Sequence, residues 1–295
     1  MTGSWGRWGA DDEAGALNLV TNEVTQRAVG LVRSGRTLSL AQALGPDTAG
    51  PPHRHRPSRF MDRDAGDYAL GARTPGGFRF AEDTVQFATH SGTHVDALAH
   101  AWSGEELYNG HPQSGTRSTR GARRLGAEKL LPVVTRGVLV DVVAATGGLL
   151  APSAPVGVEE LERGILEAGV RIGPGDAVLI RTGWIEAHDS TADGARDYFC
   201  DEPGITEAAA RWLAERDVAL VGADNYAVEQ QSATSGFPAH LVLLHQYGVP
   251  LIENVVLAEL AEALAAEARS TFLFMLAPIP LVGSTGAPVN PVVVL

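Results

Sequence analysis

Residues 90–100 are the segment of this chain that most restricts its fold, and they read His-Ser-Gly-Thr-His-Val-Asp-Ala-Leu-Ala-His. Three of the nine histidines in the chain, together with one aspartate, fall in this short stretch. Neutral imidazole and carboxylate groups are the ligands that divalent Zn and Mn take from proteins. The segment therefore predicts a metal site, and the fold must bring these side chains to one point.

The spacing within the segment decides which backbone conformation can gather the ligands. On a helix, His94 and Asp96 would point to opposite sides, because two residues span about 200° of rotation. In an extended chain alternate side chains share a face, which places the two terminal histidines of the segment beside His94 and Asp96. A straight strand separates alternate residues by about 6–7 Å, too far for ligands that lie about 2.0–2.2 Å from one ion. We therefore predict an extended segment that bends at Gly92, since glycine tolerates the backbone angles of a bend.

Composition limits the partners and the compartment. The 295-residue chain has a formal net charge of -12, which argues against nucleic acid and anionic membrane surfaces as partners. Its one cysteine, Cys200, cannot form an intrachain disulfide, so an oxidising compartment is not required. We find no secretory signal at the N-terminus and no apolar run approaching about 18 residues. We therefore expect a soluble cytoplasmic protein.

Residues 45–57 are rich in proline, histidine and arginine and predict a long loop. Long loops in compact domains are often functional lids or subunit contacts. Arginines cluster here and again further along the chain, at Arg54, Arg56, Arg59 and Arg63 and at Arg117, Arg120, Arg123 and Arg124. We interpret them as solvated loop faces, the alternative being that one of them contacts an acidic substrate or a partner subunit.

Apolar patterning predicts strands and helices that alternate, most regularly in the second half of the chain. The predicted strands cover residues 37–43, 60–64, 84–88, 137–143, 177–182, 219–223, 250–254, 271–276 and 291–295. The predicted helices cover residues 23–32, 158–168, 207–216, 238–247 and 257–266. This alternation is typical of an α/β architecture with a mixed sheet core and flanking helices. No composition shift marks a linker, so we predict a single domain over residues 1–295, with residues 1–35 as an N-terminal extension that packs on the core or on a partner subunit.

Further site candidates lie late in the chain. His240 follows Pro238 in the first turn of a predicted helix, where the preceding loop can hold it towards a pocket. Glu253 interrupts an apolar strand, and a buried carboxylate is costly unless it is paired or bound to a metal. Asp224 and Glu229 follow a predicted buried strand, which is a common location for site residues in α/β proteins. We predict that both line the substrate pocket.

The pattern His-x-Gly-Thr-His-x-Asp-x-x-x-His in residues 90–100 resembles the signature of the metal-dependent cyclase family, which includes bacterial kynurenine formamidases and isatin hydrolases. Other segments are similar to the longer, isatin-hydrolase-like branch of that family: WGADDEAGALNLVT near the start, YNG at 108–110, FPAH followed by PLIEN, and GSTGAPVNP near the end. The resemblance covers most of the chain, and its eleven-residue signature is specific.

The resemblance implies a swivelling β/β/α fold, a homodimer or homotetramer, and Zn or Mn at the site. It implies that His90, His94 and Asp96 bind a first ion. In the formamidase branch, the positions of His240 and Glu253 hold a second ion, which the aspartate at position 96 bridges.

The resemblance also assigns a proton-transfer role and leaves the number of ions open. His100 matches the position of the catalytic base or proton shuttle. Leu98 stands where the formamidases have proline, and Leu241 stands where the isatin-hydrolase branch, which uses one metal, often has glutamine. We therefore expect one or two ions.

The chemistry of these residues fits a hydrolase. Water bound to a divalent ion ionises near pH 7, and a histidine outside the ligand set can take or return a proton. We expect hydrolysis of a cyclic amide, imide or lactam, or cleavage of an N-acyl (formamide) bond, in an aromatic or cyclic small molecule. Trp102, Tyr108 and Phe87 are candidates to bind the substrate, the alternative being core or interface positions. Two other functions stay open: a metal-dependent cyclase or dehydratase, which is a lyase, and a catalytically silent metal-binding protein.

Overall fold

A computed structural model describes residues 3–188, 198–231 and 236–295 of the chain. Strands in these residues are numbered here in chain order. They are β1 (Thr37–Ser39), β2 (Ser58–Arg63), β3 (Glu82–Gln86), β4 (His94–Asp96), β5 (Thr116–Arg117), β6 (Gly121–Ala122), β7 (Val133–Asp141), β8 (Pro155–Val156), β9 (Ala177–Arg181), β10 (Gly204–Ile205), β11 (Leu220–Ala223), β12 (Leu251–Glu253), β13 (Thr271–Leu276), β14 (Gly286–Pro288) and β15 (Val292–Val294).

One large mixed sheet organises the molecule. Its strand order is β1-β15-β13-β7-β9-β11-β12-β4-β14. The four central strands β7, β9, β11 and β12 run parallel, and the strands on either side of them pair antiparallel. The sequence therefore predicted the fold class correctly: the chain has a mixed α/β fold with a sheet core and flanking helices. Separately, β2 and β3 form an antiparallel ribbon on the surface.

Helices cover both faces of the large sheet. The α-helices of the described residues are Asn22–Val29, Ala65–Ala69, Val142–Thr146, Val158–Ala168, Trp184–Ala187, Glu207–Ala214, Pro238–His240 and Ala258–Ala266. Successive residues of β9 enter two different apolar clusters, as the alternation of side chains along a strand requires. One cluster contains Leu161 and Leu213 from two of the helices, and the other contains Leu260 from a third. The parallel strands are buried on both faces for this reason, and they carry apolar runs rather than alternating patterns.

For two elements the predicted first and last residues are those of the structure: the helix Val158–Ala168 and the strand Thr271–Leu276. The helix predicted over 238–247 is only partly right. It is α-helical at Pro238–His240 and continues as a π-helix over Leu241–Tyr247. The apolar periodicity indicated a helix but could not show that its turns widen directly after His240. Widened turns of this kind are frequent at functional sites.

The signature segment enters the sheet as its second strand from one edge. Strand β4 lies between β12 and β14 and is antiparallel to both, and the register places His94 opposite Glu253. Gly92 has a φ of 56°, so the bend predicted at this glycine is present. Sheet pairing therefore brings a ligand candidate from residues 90–100 beside one from the late part of the chain.

The predicted segment, extended and bent at Gly92, does bring His90, His94 and Asp96 together, but its extended part is shorter than predicted. Only His94–Asp96 is a strand, and the chain turns on both sides of it. On the far side, the N–H of His100 donates to the carbonyl of Ala97 at 2.9 Å and closes a turn. Residues 97–99 are fully buried, so the chain turns into the core after this strand and does not continue along the sheet.

The N-terminal segment lies on the core. The N–H of Ser4 donates to the carbonyl of Gln246 at 3.0 Å, and the indole N–H of Trp5 donates to the carbonyl of His245 at 2.7 Å. A carboxylate oxygen of Glu13 accepts the backbone N–H of Leu125 at 2.8 Å. In the described part of the chain, no helix has both the length and the apolar character needed to cross a bilayer.

Candidate metal centre

Five ionisable side chains meet where β4 and β12 lie side by side. They come from three parts of the chain and are the five predicted metal ligands: His90, His94, Asp96, His240 and Glu253. The structure therefore brings together every residue predicted as a ligand. All except His90, which is partly buried, are removed from solvent.

Four of these side chains alternate around a ring of nitrogen and oxygen atoms. His94 Nε2 lies 3.1 Å from one oxygen of Glu253, and His240 Nε2 lies 3.3 Å from the other. The two oxygens of Asp96 close the ring, each at 3.6 Å from one of these nitrogens. Ligands bound about 2.1 Å from a tetrahedral ion lie about 3.4 Å from one another. Neighbouring atoms of the ring therefore have the spacing of ligands that share an ion. The ligand atoms that all lie within 4.8 Å of one another form two groups, His90-His94-Asp96 and Asp96-His100-His240.

The hydrogen-bonding state of these atoms also fits a metal ion. Among the described residues, His90 Nδ1, His94 Nε2 and both oxygens of Asp96 are buried without a hydrogen-bond partner. His90 Nδ1 is 2.7 Å from Asp96 Oδ1, yet the pair lacks the orientation of a hydrogen bond. Buried polar atoms are almost always satisfied. Four orphaned atoms that face one point are therefore best explained as ligands of a divalent cation.

The other ring nitrogen of each histidine ligand is held from behind. His94 Nδ1 donates to the carbonyl of Gly92 at 2.8 Å, and His240 Nδ1 donates to a carboxylate oxygen of Glu229 at 2.5 Å. His90 Nε2 lies 3.0 Å from the hydroxyl of Thr285. These contacts fix the ring orientations and leave the opposite nitrogen of each ring to the centre, as is usual for histidines that bind metals.

Glu229 supports the centre and does not line the pocket. It is 1% exposed and also accepts the backbone N–H groups of Ala239, at 2.9 Å, and His240, at 3.0 Å. We predicted Glu229 as a substrate-binding residue; the structure places it behind His240 instead. A carboxylate in this position orients the imidazole and makes it a more basic ligand.

His100 lies beside the ligand set. Its ring centroid is 4.2 Å from that of His90 and 5.9 Å from that of His240. Burial lowers the pKa of His100 to about 4, although the charge of Asp96 acts in the opposite direction. The ring is therefore neutral at neutral pH, with one nitrogen free of a proton. Ligand atoms of Asp96, His100 and His240 lie within 4.8 Å of one another, so the geometry also allows His100 to bind a second ion.

A cavity of about 490 Å³ opens onto this cluster. His100, His240 and Glu253 are its polar floor, and the large side chains of its walls include Trp102, Tyr226, Phe237 and Leu241. Small-molecule sites are concave spaces of this size with apolar walls and a few polar groups. The arrangement is suited to a small ring compound held against the polar floor.

Of the residues predicted to bind substrate, Trp102 lines the cavity and the others do not. Tyr108 is 1% exposed and packs against Gly248 in the core. Phe87 lies just beyond β3, and Asp224 is fully buried, where it accepts hydrogen bonds from Thr182 and Gly183. Tyr108 packs in the core and Asp224 satisfies backbone groups, so neither is available to a ligand, and Phe87 lies outside the residues that line the cavity.

Three polar residues of the cavity were not predicted to bind substrate: His53, Arg54 and Tyr226. Tyr226 lies between Asp224 and Glu229, in a stretch that was singled out for its carboxylates. Arg54 lines the same cavity from the loop between β1 and β2 and was interpreted as a solvated loop residue. The length of this loop did indicate a function, because long loops are often functional. Length alone does not show which side chain of the loop turns towards the cavity.

The geometry defines a protein with a buried binding centre for a divalent metal under a small-molecule cavity. The chain belongs to the cyclase family, because the family model described as "Putative cyclase" matches residues 38–230 and the solved structure of a novel cyclase is 34% identical to it. That match covers 100% of both chains with a TM-score of 0.94, which also confirms the swivelling cyclase-type fold.

More distant solved structures share the fold. Isatin hydrolase A from Ralstonia solanacearum is 21% identical, with a TM-score of 0.63 over 88% of this chain and 91% of that chain. Isatin hydrolase A from Labrenzia aggregata is also 21% identical, with a TM-score of 0.63 over 92% of this chain and 96% of that chain. No curated protein matches the chain by sequence.

Proposed function

We propose that this chain is a metal-dependent hydrolase of non-peptide C–N bonds, which opens a cyclic amide, imide or lactam or cleaves an N-acyl (formamide) bond. The observation that carries the proposal is the set of orphaned ligand atoms on His90, His94 and Asp96. They lie directly beneath a cavity floor that consists of His100, His240 and Glu253, with His94 3.1 Å from Glu253 and Asp96 3.6 Å from His240. A metal centre alone would need no unprotonated base beside it, so this combination favours catalysis over silent metal binding.

Different residues of this chain would bind the metal and transfer the proton. His90, His94, Asp96, His240 and Glu253 would hold one or two ions of Zn or Mn, since mixed imidazole and carboxylate ligands suit both metals. A bound divalent ion supplies a Lewis acid for the carbonyl and a water nucleophile that is ionised near neutral pH. His100 lies at the cavity floor beside His90 and His240, where its imidazole would accept a proton from the water and return it to the leaving nitrogen.

The cavity walls supply orientation. Trp102, Phe237 and Leu241 line the space above the metal centre and give it aromatic and apolar walls. An aromatic ring fused or attached to the amide would pack against these walls, which would hold the carbonyl towards the polar floor. The fold shared with isatin hydrolases supports a cyclic aromatic amide as the first substrate to try.

Substitution of His100 and Asp96 tests the proposal. We expect His100→Ala to keep its metal content and lose most turnover, and Asp96→Ala to lose metal and turnover together. Metal content is measured by elemental analysis after dialysis, and turnover with isatin, N-formylkynurenine, hydantoin and lactones on Zn- and Mn-loaded protein. Loss of metal from His100→Ala would make His100 a ligand rather than the base.

Isotope labelling separates hydrolysis from the alternative chemistry of a lyase. Hydrolysis in ¹⁸O-labelled water places one labelled oxygen in the carboxylate of the product, whereas a cyclase or dehydratase does not transfer solvent oxygen in this way. Turnover without incorporation would refute the hydrolase and favour the lyase. No turnover with any compound of the panel by fully metal-loaded protein would refute the proposed substrate class.

A further inference from the structure

Arg54 is the positively charged side chain that the structure places at the wall of the substrate cavity. One Nη of its guanidinium donates to the carbonyl of His90 at 2.7 Å, and its Cζ lies 5.3 Å from the ring centroid of Tyr226. The carbonyl and the aromatic ring fix the guanidinium next to a metal-ligand residue. A loop arginine held in this way is positioned for a ligand rather than free in solvent.

The hydrogen-bonding capacity of Arg54 is largely unused by the protein. A guanidinium has five N–H donors, and the bond to the His90 carbonyl accounts for one of them. Other partly buried arginines have carboxylate partners: Arg136 pairs with Asp176, and Arg181 pairs with Asp141 and Glu186. Within the described residues, no ion pair links Arg54 to a carboxylate.

Arg54 is a cation in a chain with an excess of negative charge. The protein has a net charge of -12, which disfavours the approach of an anionic substrate. A cation on the cavity wall offsets this repulsion at the place where the substrate would bind. Arginine is suited to that task because its planar fork matches a carboxylate with two parallel hydrogen bonds.

We infer that Arg54 binds a carboxylate of the substrate, so that the preferred substrates are aryl amides that carry a carboxylate on the ring or on a side chain. This inference rests on the proposed function and narrows its substrate class. The aromatic walls hold the ring, the metal centre faces the scissile amide, and Arg54 pairs with the anionic substituent. Arg54 is thereby a specificity-determining residue, and its hydrogen bond to His90 places it at a fixed distance from the reacting centre.

Matched substrates test this role in turnover. Formanilide and 3-carboxyformanilide differ only in the carboxylate, and the ratio of their kcat/KM values measures its recognition. We expect metal-loaded wild-type protein to favour the carboxylated compound. Arg54→Gln should lower that ratio about 10- to 100-fold, mainly through KM, as expected for loss of a charge-assisted bidentate pair. Arg56→Gln, an equal change of charge at an exposed position of the same loop, should leave the ratio unchanged.

An unchanged ratio in Arg54→Gln would overturn the inference, because it would limit Arg54 to holding the His90 loop. Arg54→Lys refines the test, since lysine keeps the charge but lacks the fork and should recover only part of the preference. A similar fall of the ratio in Arg56→Gln would also overturn the inference, since it would indicate a general charge effect.

Binding measured without turnover separates this inference from the proposed function. Calorimetry with benzoate and benzamide, on both metal-loaded and metal-free protein, reports carboxylate recognition directly. We expect benzoate to bind more tightly than benzamide in both forms and to lose this advantage in Arg54→Gln. A benzoate preference that disappears with the metal and survives in Arg54→Gln would assign the carboxylate to the ion and overturn the inference. Failure of both formanilides to react, with benzoate binding intact, would exclude formamide cleavage and leave the Arg54 site.

Discussion

Replacement of Glu229 by glutamine removes the charge behind His240 while keeping the size of the side chain. The Glu229 carboxylate is 1% exposed and accepts three hydrogen bonds, from His240 Nδ1 and from the backbone N–H groups of Ala239 and His240. A glutamine amide has one acceptor oxygen, and its NH₂ group must face at least one of these donors. We therefore expect Glu229→Gln to disturb both the imidazole and the backbone at the start of the π-helix.

Two magnitudes follow from this geometry. Loss of the group that orients a metal-binding histidine lowers metal affinity about 10- to 100-fold, which is about 1.4–2.8 kcal/mol of binding free energy. One buried donor left without a partner lowers the free energy of unfolding by about 1–3 kcal/mol. Glu229→Gln should therefore bind Zn or Mn more weakly and unfold at lower urea concentration, even without metal.

Competitive titration with a chelator measures the metal affinity, and urea unfolding of metal-free protein measures stability. Asp224→Asn is a matched control. Asp224 is also fully buried in the segment after β11 and accepts the backbone N–H groups of Thr182, at 2.8 Å, and Gly183, at 2.7 Å, but it contacts no ligand histidine. It should lose stability and keep its metal affinity. Equal losses of metal affinity in the two variants, or wild-type affinity in Glu229→Gln, would refute the reasoning.

Two further predictions concern stability. Burial of Glu13 opposes its ionisation, but hydrogen bonds from a backbone N–H and a neighbouring arginine outweigh burial and lower its pKa below the ordinary 4.5. The stability that the ionised Glu13 adds is therefore present above pH 4.5 and is lost as the pH falls through the folded-state pKa. Between pH 5 and pH 3, the urea midpoint should fall less steeply in Glu13→Gln than in wild type. Equal slopes in the two proteins would contradict this prediction. Gly137→Ala would place its Cβ 2.0 Å from the ring of the buried Phe272 and should lower the free energy of unfolding by about 1–3 kcal/mol or more. A urea midpoint equal to that of wild type would contradict this prediction.

Local patterns in the sequence were sufficient for much of the fold. The helix Val158–Ala168 has its observed bounds because its apolar residues recur at helical spacing and glycines flank it. The strand Thr271–Leu276 is a continuous apolar run, typical of a strand covered on both faces. The π-helix over Leu241–Tyr247 was missed because its apolar pattern does not differ from that of an α-helix over so few residues.

The residues of the candidate site also differ in whether the sequence could identify them. His90, His94 and Asp96 could be chosen from the sequence because they lie within one short segment whose spacing restricts how they can converge. His240 and Glu253 needed the resemblance to the family as well. Arg54 and Tyr226 could not be selected, since their approach to the cavity depends on a loop whose course no local pattern specifies.

By itself, the sequence determined which side chains can bind a metal, that Gly92 must bend the chain between them, and that strands and helices alternate. These properties are local, because they follow from ligand chemistry, backbone freedom and apolar spacing. Only the tertiary structure decided that Glu229 stands behind His240, that Asp224 accepts buried backbone N–H groups while Tyr108 packs in the core, and that Arg54 lines the cavity. Those outcomes depend on sheet register and loop course, which arise from contacts between residues far apart in the chain.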